Sequence, residues 1–445
     1  MQIRFIAMHW HRKAHFNGTD FGVLDGGAAP FLIALALILL LAAAPAPAAD
    51  EDAAALSLAD QTAETAEKSR DWRVFSEIAA RASTRQGVGV GQHGERLSLD
   101  LRYDGSLAPG WRAVLADRLD MNRGQLAGNG NVNTLKEAYL SWQAAPDRIA
   151  DLGRINARQG VALGYNPTDH FRAGALRSVV SLDPASLREN RQGSAMLRGQ
   201  GLWTGGSLTA LYSPKLADRP NPGAYNLDPG ATNQRNRWQL ALGQKLSEKL
   251  NPQMLLSGGA GQSPQFGFNL TGLMNDSTVA YLEWSGGRAP SLLTQALARP
   301  DDKAFRSRLA TGLTYTTADN VSLTLEYEYN GAALDQSGWN ALRRGPPAAY
   351  GVYRAFAANL QDPATKQAVF LYVLWQDPLI KHLDLTAMLR YDAVDGSRLQ
   401  WLEARYHWTR IDLALQMQLN NGRPGTNFGA LTERRIAQVL ARFFF

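Results

Sequence analysis

The sequence predicts an all-β fold: a transmembrane antiparallel β-barrel of about eighteen strands, with sixteen as the alternative. Segments such as 95–104 and 320–329 alternate between apolar and polar residues, which is the period-two pattern of strands. The connections between these segments sort into a short and a long class, as in outer-membrane barrels. Beyond residue 48, no apolar run approaches the roughly 18 residues of a membrane-spanning helix.

The start of the chain has the composition of a secretory signal peptide. Residues 28–44 are apolar, Arg4 and Arg12 lie upstream, and Ala46-Pro47-Ala48 supplies small residues for cleavage. We therefore expect residues 1–48 to be a signal peptide, with a membrane anchor as the alternative.

Two further regions follow the leader. Residues 49–70 are Ala-rich and polar, and they are predicted to form a periplasmic N-terminal segment that binds a periplasmic partner. Residues 71–445 are predicted to form the outer-membrane β-barrel.

Eighteen predicted strands occupy the barrel region, and most approach the 9–11 residues of a tilted strand that crosses a bilayer. Strand 71–83 is the least regular, and its loss would leave an odd number. The predicted strands are 71–83, 95–104, 110–121, 134–144, 148–157, 194–204, 206–213, 235–245, 251–261, 265–273, 276–285, 304–316, 320–329, 368–376, 382–392, 397–408, 409–420 and 432–445.

The connections after even-numbered strands are short and carry turn residues such as Asn275-Asp276. The long ones, 158–193, 214–234, 286–303 and 330–367, all follow odd-numbered strands. Short periplasmic turns and long external loops are typical of barrels in the outer membrane of a Gram-negative bacterium.

The last strand has a second signature. Val439, Phe443 and Phe445 share one face, and three phenylalanines occupy positions 443–445. Such a strand resembles the terminal strand that the barrel assembly machinery recognises. Phe443 and Phe445 are therefore the predicted assembly signal, and outer-membrane lipid is the predicted surrounding.

The charge pattern restricts the classes of function. The net charge is +6 over 445 residues, with no cysteine, and no basic run indicates binding to nucleic acid. On the polar faces of the strands, arginines predominate, which favours passage of anions. The alternative is a wall whose charges pair across strands and select nothing. The predicted pore-lining residues are Arg102, Arg112, Arg118, Arg154, Arg158, Arg306, Arg308, Arg390 and Arg410.

Loop 158–193 is the predicted constriction, because the third external loop of general porins folds into the barrel. The alternative is a charged loop that faces solvent. Its candidate constriction residues are Asp169, Arg172, Arg177, Arg188 and Arg191.

A family resemblance lies in the same region. Gly153-Arg154, Gly160 and Asn166-Pro167-Thr168-Asp169, with Leu187-Arg188-Glu189-Asn190-Arg191-Gln192-Gly193 further on, resemble a stretch of the alginate-export-type barrels and their uncharacterised relatives. The resemblance covers about forty residues, and Val161 and Leu163 replace an expected tryptophan. It implies an eighteen-stranded export barrel.

The predicted function is a porin: an outer-membrane channel for passive passage of small or polymeric, anionic solutes, narrowed by loop 158–193. The alternative is a barrel component of a secretion or export complex. Neither an enzyme nor a metal site is indicated, because His93, His170, His382 and His407 lie apart from one another and outside any catalytic motif. No cofactor is expected.

Overall fold

A computed structural model describes residues 71–86, 88–124 and 130–445 of the chain. Within them, eighteen antiparallel strands form one sheet that closes on itself, because each strand pairs with its neighbours in sequence and β1 pairs with β18. Closure leaves no free sheet edge, so the backbone hydrogen bonds of the wall are satisfied within it.

The strands match the eighteen predicted from the sequence, with shifts at their ends. They are β1 (Trp72–Arg85), β2 (Val88–Ala108), β3 (Trp111–Gly124), β4 (Gly130–Ala145), β5 (Arg148–Ile155), β6 (Ser194–Trp203), β7 (Gly206–Ser213), β8 (Arg237–Gln244), β9 (Leu250–Gly259), β10 (Gln262–Asn275), β11 (Thr278–Ala289), β12 (Ala304–Thr316), β13 (Val321–Asn330), β14 (Gln367–Gln376), β15 (Leu383–Asp392), β16 (Arg398–His407), β17 (Ile411–Asn421) and β18 (Glu433–Phe444).

The fold class and the strand count are confirmed. The least regular prediction, 71–83, is β1, and its pairing with β18 closes the barrel. The predicted signal peptide and the segment 49–70 lie outside the described residues.

The two faces of each strand differ as the alternation predicts. Leu97, Leu99 and Leu415 are 44%, 47% and 57% exposed, whereas their neighbours Ser98 and Asp100 are buried. Apolar side chains therefore cover the outside of the wall, and polar side chains fill the inside, which is the arrangement of a barrel in lipid.

Connections at one end of the barrel are short, and several need a residue with positive φ. Gly110 and Gly205 have φ of 74° in the turns after β2 and β6, a conformation that glycine adopts without strain.

The long connections, which leave the wall at the opposite end, contain five helices among the described residues, α1 (Pro184–Glu189), α2 (Pro229–Thr232), α3 (Leu292–Leu297), α4 (Gln336–Arg344) and α5 (Pro347–Leu360). Leu292, Trp339 and Tyr353 are fully buried in one cluster, which packs α3, α4 and α5 together over this end. Within the described residues, no helix is long and apolar enough to cross a membrane.

Candidate functional site: the barrel interior and its inner loop

The connection from β5 to β6, residues 156–193, folds into the barrel and is called the inner loop. It leaves the wall early because β5 has 8 residues, whereas β4 has 16. At its far end, Gly193 donates to the carbonyl of Lys136 on β4, where an added Cβ would lie 2.6 Å from that oxygen. The loop thus begins and ends against the same strand.

Glu283 on β11 holds one part of the inner loop. Its buried carboxylate accepts hydrogen bonds from the backbone N–H groups of Val161 at 2.9 Å, Ala162 at 3.1 Å and Thr168 at 2.8 Å. The loop approaches so closely at Gly160, whose φ is 97°, that a Cβ there would lie 2.5 Å from the carboxylate. Only a glycine fits this position without a shift.

Glu326 on β13 holds the next turn of the loop. Its carboxylate accepts from the backbone N–H groups of Leu163, Gly164 and Tyr165 at 2.9 to 3.2 Å, and from the hydroxyl of Tyr281 at 2.9 Å. Glu283 and Glu326 form what we call the carboxylate clamp. Each carboxyl group accepts three backbone N–H groups of the loop, so the clamp fixes the loop backbone against β11 and β13.

The rest of the inner loop reaches other sides of the interior. Glu189 forms an ion pair of 2.7 Å with Arg73 on β1, and the carbonyl of Val180 accepts from Gln438 on β18. On another side, Tyr372 of β14 donates to Asp183 at 3.0 Å. Contacts with β1, β11, β13, β14 and β18 show that the loop crosses the barrel.

Three of the candidate constriction residues form ion pairs that brace the loop. Asp169 pairs with Arg191 at 2.7 Å within the loop, and Arg172 pairs with Asp362, which follows α5. Arg172 also stacks over the ring of Tyr165.

The other two bind backbone oxygens. Arg177 donates to the carbonyls of Gly223 and Asn226, and Arg188 donates to the carbonyls of Gln159 and Gly160. The sequence placed these five residues on one loop, and the structure gives each a defined partner.

A cluster of opposite charges lines the interior near the β1–β18 seam. Arg118 is 1% exposed and contacts three carboxylates, with 3.0 Å to Glu77, 3.6 Å to Asp100 and 2.9 Å to Asp120. This paired-charge cluster comprises Glu77, Arg96, Asp100, Arg118, Asp120, Lys136 and Arg442. Its charges compensate one another within the wall.

Most of the other predicted pore-lining arginines face the interior and have a partner there. Arg112 pairs with Asp104, and Arg102 lies 3.3 Å from Glu137. The remaining pairs are Arg306 with Asp302 at 3.1 Å, Arg308 with Asp362 at 3.8 Å, and Arg390 with Glu328 at 3.9 Å.

Three predicted residues lie elsewhere. Strand alternation places Arg154 on the face of β5 opposite Asp151, where it is buried. Arg158 is half-buried near the start of the inner loop, and Arg410 is exposed in the turn between β16 and β17.

His170 lies in the inner loop with its Nε2 buried and without a hydrogen-bond partner in the described part of the chain. Burial, together with the nearby charges of Arg308 and Arg172, lowers the pKa of His170 to about 4. The imidazole is therefore neutral at physiological pH. No group of three or more His, Asp or Glu within the described ranges is arranged to hold a metal ion.

Solved structures share this architecture. The barrel is similar to OccK2 (OpdF) of Pseudomonas aeruginosa in complex with glucuronate, with a TM-score of 0.53 and 11% identity over 84% of this chain and 97% of that chain. For OccAB1 of Acinetobacter baumannii the TM-score is 0.52 at 10% identity, over 84% and 96%. For the outer membrane protein OpdK of P. aeruginosa it is 0.51 at 9% identity, over 84% and 99%.

This chain is a transmembrane β-barrel of the outer-membrane type. At such low identities the likeness establishes the fold alone. No family model and no curated protein matches the sequence.

The residues that organise the barrel interior were only partly found from the sequence. The alternating pattern of segment 320–329 places Glu326 and Glu328 on its polar face, but no pattern singled out Glu283 or Glu77. The available signal was a carboxylate at an alternating position in an otherwise apolar or small-residue strand, as in Tyr281-Leu282-Glu283-Trp284. That signal indicates that the carboxylate faces the barrel interior, but it does not indicate which residue the carboxylate binds.

Proposed function

We propose that this barrel is a porin, an outer-membrane channel for passive passage of solutes, narrowed by the inner loop. The observation that carries the proposal is the carboxylate clamp, which fixes a loop across the interior of a closed eighteen-stranded wall. Side chains alone do not fill a barrel of this size, so a water-filled passage remains beside the loop.

The preferred solutes are anionic, small or polymeric. Arg177, Arg237 and Arg354 donate to carbonyl oxygens, and among the described residues no carboxylate lies within ion-pair distance of them. Their charge is therefore less compensated than that of the paired arginines, and uncompensated positive charge in a pore favours anions. The presence of glucuronate in the OccK2 structure, and the resemblance to alginate-export-type barrels, support an acidic solute.

The proposed lining of the passage consists of the interior arginines. Arg306 and Arg308 face inward on one strand, Arg158 lies in the inner loop, and Arg390 donates to the carbonyl of Gly164 in that loop. Removing an arginine also frees its carboxylate partner, so each substitution shifts the field of the pore toward cations.

Reversal potentials across planar bilayers in a salt gradient test the proposal. The full barrel should conduct with anion preference, and Arg306→Ala with Arg308→Ala should lower that preference. The matched control is Arg306→Lys with Arg308→Lys, which keeps both charges. An unchanged reversal potential in the alanine variant would reject these arginines as selectivity residues, and a barrel without conductance would reject the channel itself.

Two partners belong to the same proposal. Phe443 and Phe445 are the proposed assembly signal for the barrel assembly machinery. Residues 49–70, which lie outside the described residues, are the proposed site for a periplasmic partner.

A further inference from the structure

A cavity of about 370 Å³ lies between the inner loop, α5 and the strands β13 to β16. Five arginines and three acidic residues line it, together with apolar side chains. Leu163, Leu182 and Met388 belong to its apolar part. The volume lies within the range of sites that bind small organic molecules.

Two buried arginines that line this cavity have unused donors. Arg191 is 2% exposed, and Asp169 satisfies its Nη1, but its Nε and Nη2 have no hydrogen-bond partner among the described residues. Arg172 is 8% exposed and likewise has no partner for its Nη1, although its other two nitrogens are bonded. Guanidinium groups of this kind match the geometry of a carboxylate.

A buried acceptor remains unused in the same cavity. Glu328 is 3% exposed, and its Oε1 accepts no hydrogen bond from any described residue. The nearest paired cation, Arg390, lies 3.9 Å away and donates instead to the carbonyl of Gly164 at 3.0 Å. A buried carboxyl oxygen without a hydrogen bond is costly, so a bound group that donates to it is favoured.

The three features require a ligand with three parts. The arginine donors require an anionic group, the leucine and methionine side chains require an apolar skeleton, and Glu328 requires a donor, best a cationic one. A plain organic anion would leave the Glu328 oxygen unsatisfied and would be repelled by it.

From this arrangement we infer that the cavity binds a small zwitterion, an amino acid with an apolar side chain, as it passes the inner loop. The carboxylate of the solute binds Arg191 and Arg172, and its ammonium group donates to Glu328. The inference rests on the proposed channel function; it assigns a zwitterion to this one cavity, whereas the arginines elsewhere in the passage favour anions.

The test uses three probes with the same ring: L-phenylalanine, 3-phenylpropionate, which lacks the ammonium group, and 2-phenylethylamine, which lacks the carboxylate. Block of ion current through the full barrel in planar bilayers gives the concentration for half-maximal block. L-Phenylalanine should block at a concentration about tenfold or more below either analogue, because each analogue leaves one buried charge unpaired.

Glu328→Gln should remove the advantage of L-phenylalanine over 3-phenylpropionate. Glu248→Gln, in the exposed turn between β8 and β9, is the matched control and should leave both unchanged. Stronger block by 3-phenylpropionate than by L-phenylalanine in the native barrel would overturn the inference, and this comparison needs no variant.

The results of this test distinguish a failure of the zwitterion site from a failure of the proposed channel. If the barrel conducts with anion preference but L-phenylalanine has no advantage, only the zwitterion site is rejected. If no current flows, the channel is rejected, and calorimetric titration of the detergent-solubilised barrel with the same three probes still decides whether the cavity binds.

Discussion

Buried carboxylates have opposite roles on two sides of the barrel interior. Near the seam, Glu77 forms ion pairs with Arg96 and Arg442 on the two neighbouring strands. Asp120 forms an ion pair with Arg118 on its own strand, so opposite charges are paired within the wall. On β11 and β13, Glu283 and Glu326 contact no arginine within ion-pair distance among the described residues and accept backbone N–H groups of the inner loop instead.

Buried carboxylates on the two sides therefore have different physical effects. A carboxylate paired with arginine stabilises the wall and contributes little net field. A carboxylate bonded to a loop backbone positions that loop, because amide donors have no other acceptor once they are buried. The paired-charge cluster should therefore govern stability, and the carboxylate clamp should govern the width of the passage.

The largest effect is expected at the seam itself. The backbone N–H of Phe445 donates to the carbonyl of Val74 at 3.1 Å, and the ring of Phe444 lies 5.8 Å from that of Phe75. Deleting residues 443–445 removes these contacts and the proposed assembly signal, so barrel assembly should be lost. Heat-modifiable migration on gels and protease resistance measure it; a truncated chain that assembles at normal levels would contradict the prediction.

The next largest effect is expected when the carboxylate clamp is weakened. Glu283→Gln with Glu326→Gln replaces one acceptor oxygen of each carboxyl group with an amide donor, so several hydrogen bonds to the loop, each worth about 0.5–1.5 kcal/mol, are lost. The inner loop should then leave its docked position, raising single-channel conductance while the barrel stays folded. Glu137→Gln is the matched control, since Glu137 pairs with Arg102 on the wall. Equal conductance in the double variant and the native barrel would mean that the clamp does not hold the loop.

A substitution in the paired-charge cluster should lower the stability of the barrel rather than raise its conductance. Arg118→Ala leaves three buried carboxylates without their shared partner and should reduce the free energy of unfolding by about 3–5 kcal/mol. Arg148→Ala removes an arginine whose side chain is 76% exposed beside Asp147, so its cost should be within about 1 kcal/mol. The temperature of heat modification compares the two variants. A similar loss in both would show that burial of the cluster is unimportant.

The smallest effect concerns pH and the inner loop. The pKa of His170 lies at about 4 in the folded barrel, below its ordinary value of 6.5. Between these values the undocked loop binds more protons than the docked loop, so docking weakens as pH falls from 6.5 towards 4. His170→Gln removes this contribution. Limited proteolysis of the loop across this range should show a steeper pH dependence in the native barrel than in the variant; parallel curves would exclude His170.

The sequence predicted the wall better than the interior because strand alternation is a local property. Each of the eighteen segments carries its own alternating pattern. Turn residues between the segments indicate which strands are neighbours, and the triple phenylalanine marks the last strand. The pairing of Glu283 with Thr168 depends instead on how deep a loop reaches into the barrel. An irregularity between Ala116 and Asp117 of β3 also shifts the register against β4, so Lys136 and Glu137 both become buried. No periodic pattern in the sequence predicts such a shift in register.

The contacts of the inner loop also set an order of events in folding. Val161 bonds a residue 122 positions later, Tyr165 one 161 positions later, and Val180 one 258 positions later. Contacts of such long sequence separation form slowly, because chain closure must precede them. The loop therefore completes its docking only when β11, β13 and β18 have taken their places. A freshly closed barrel should pass through a wider, leakier state before it matures.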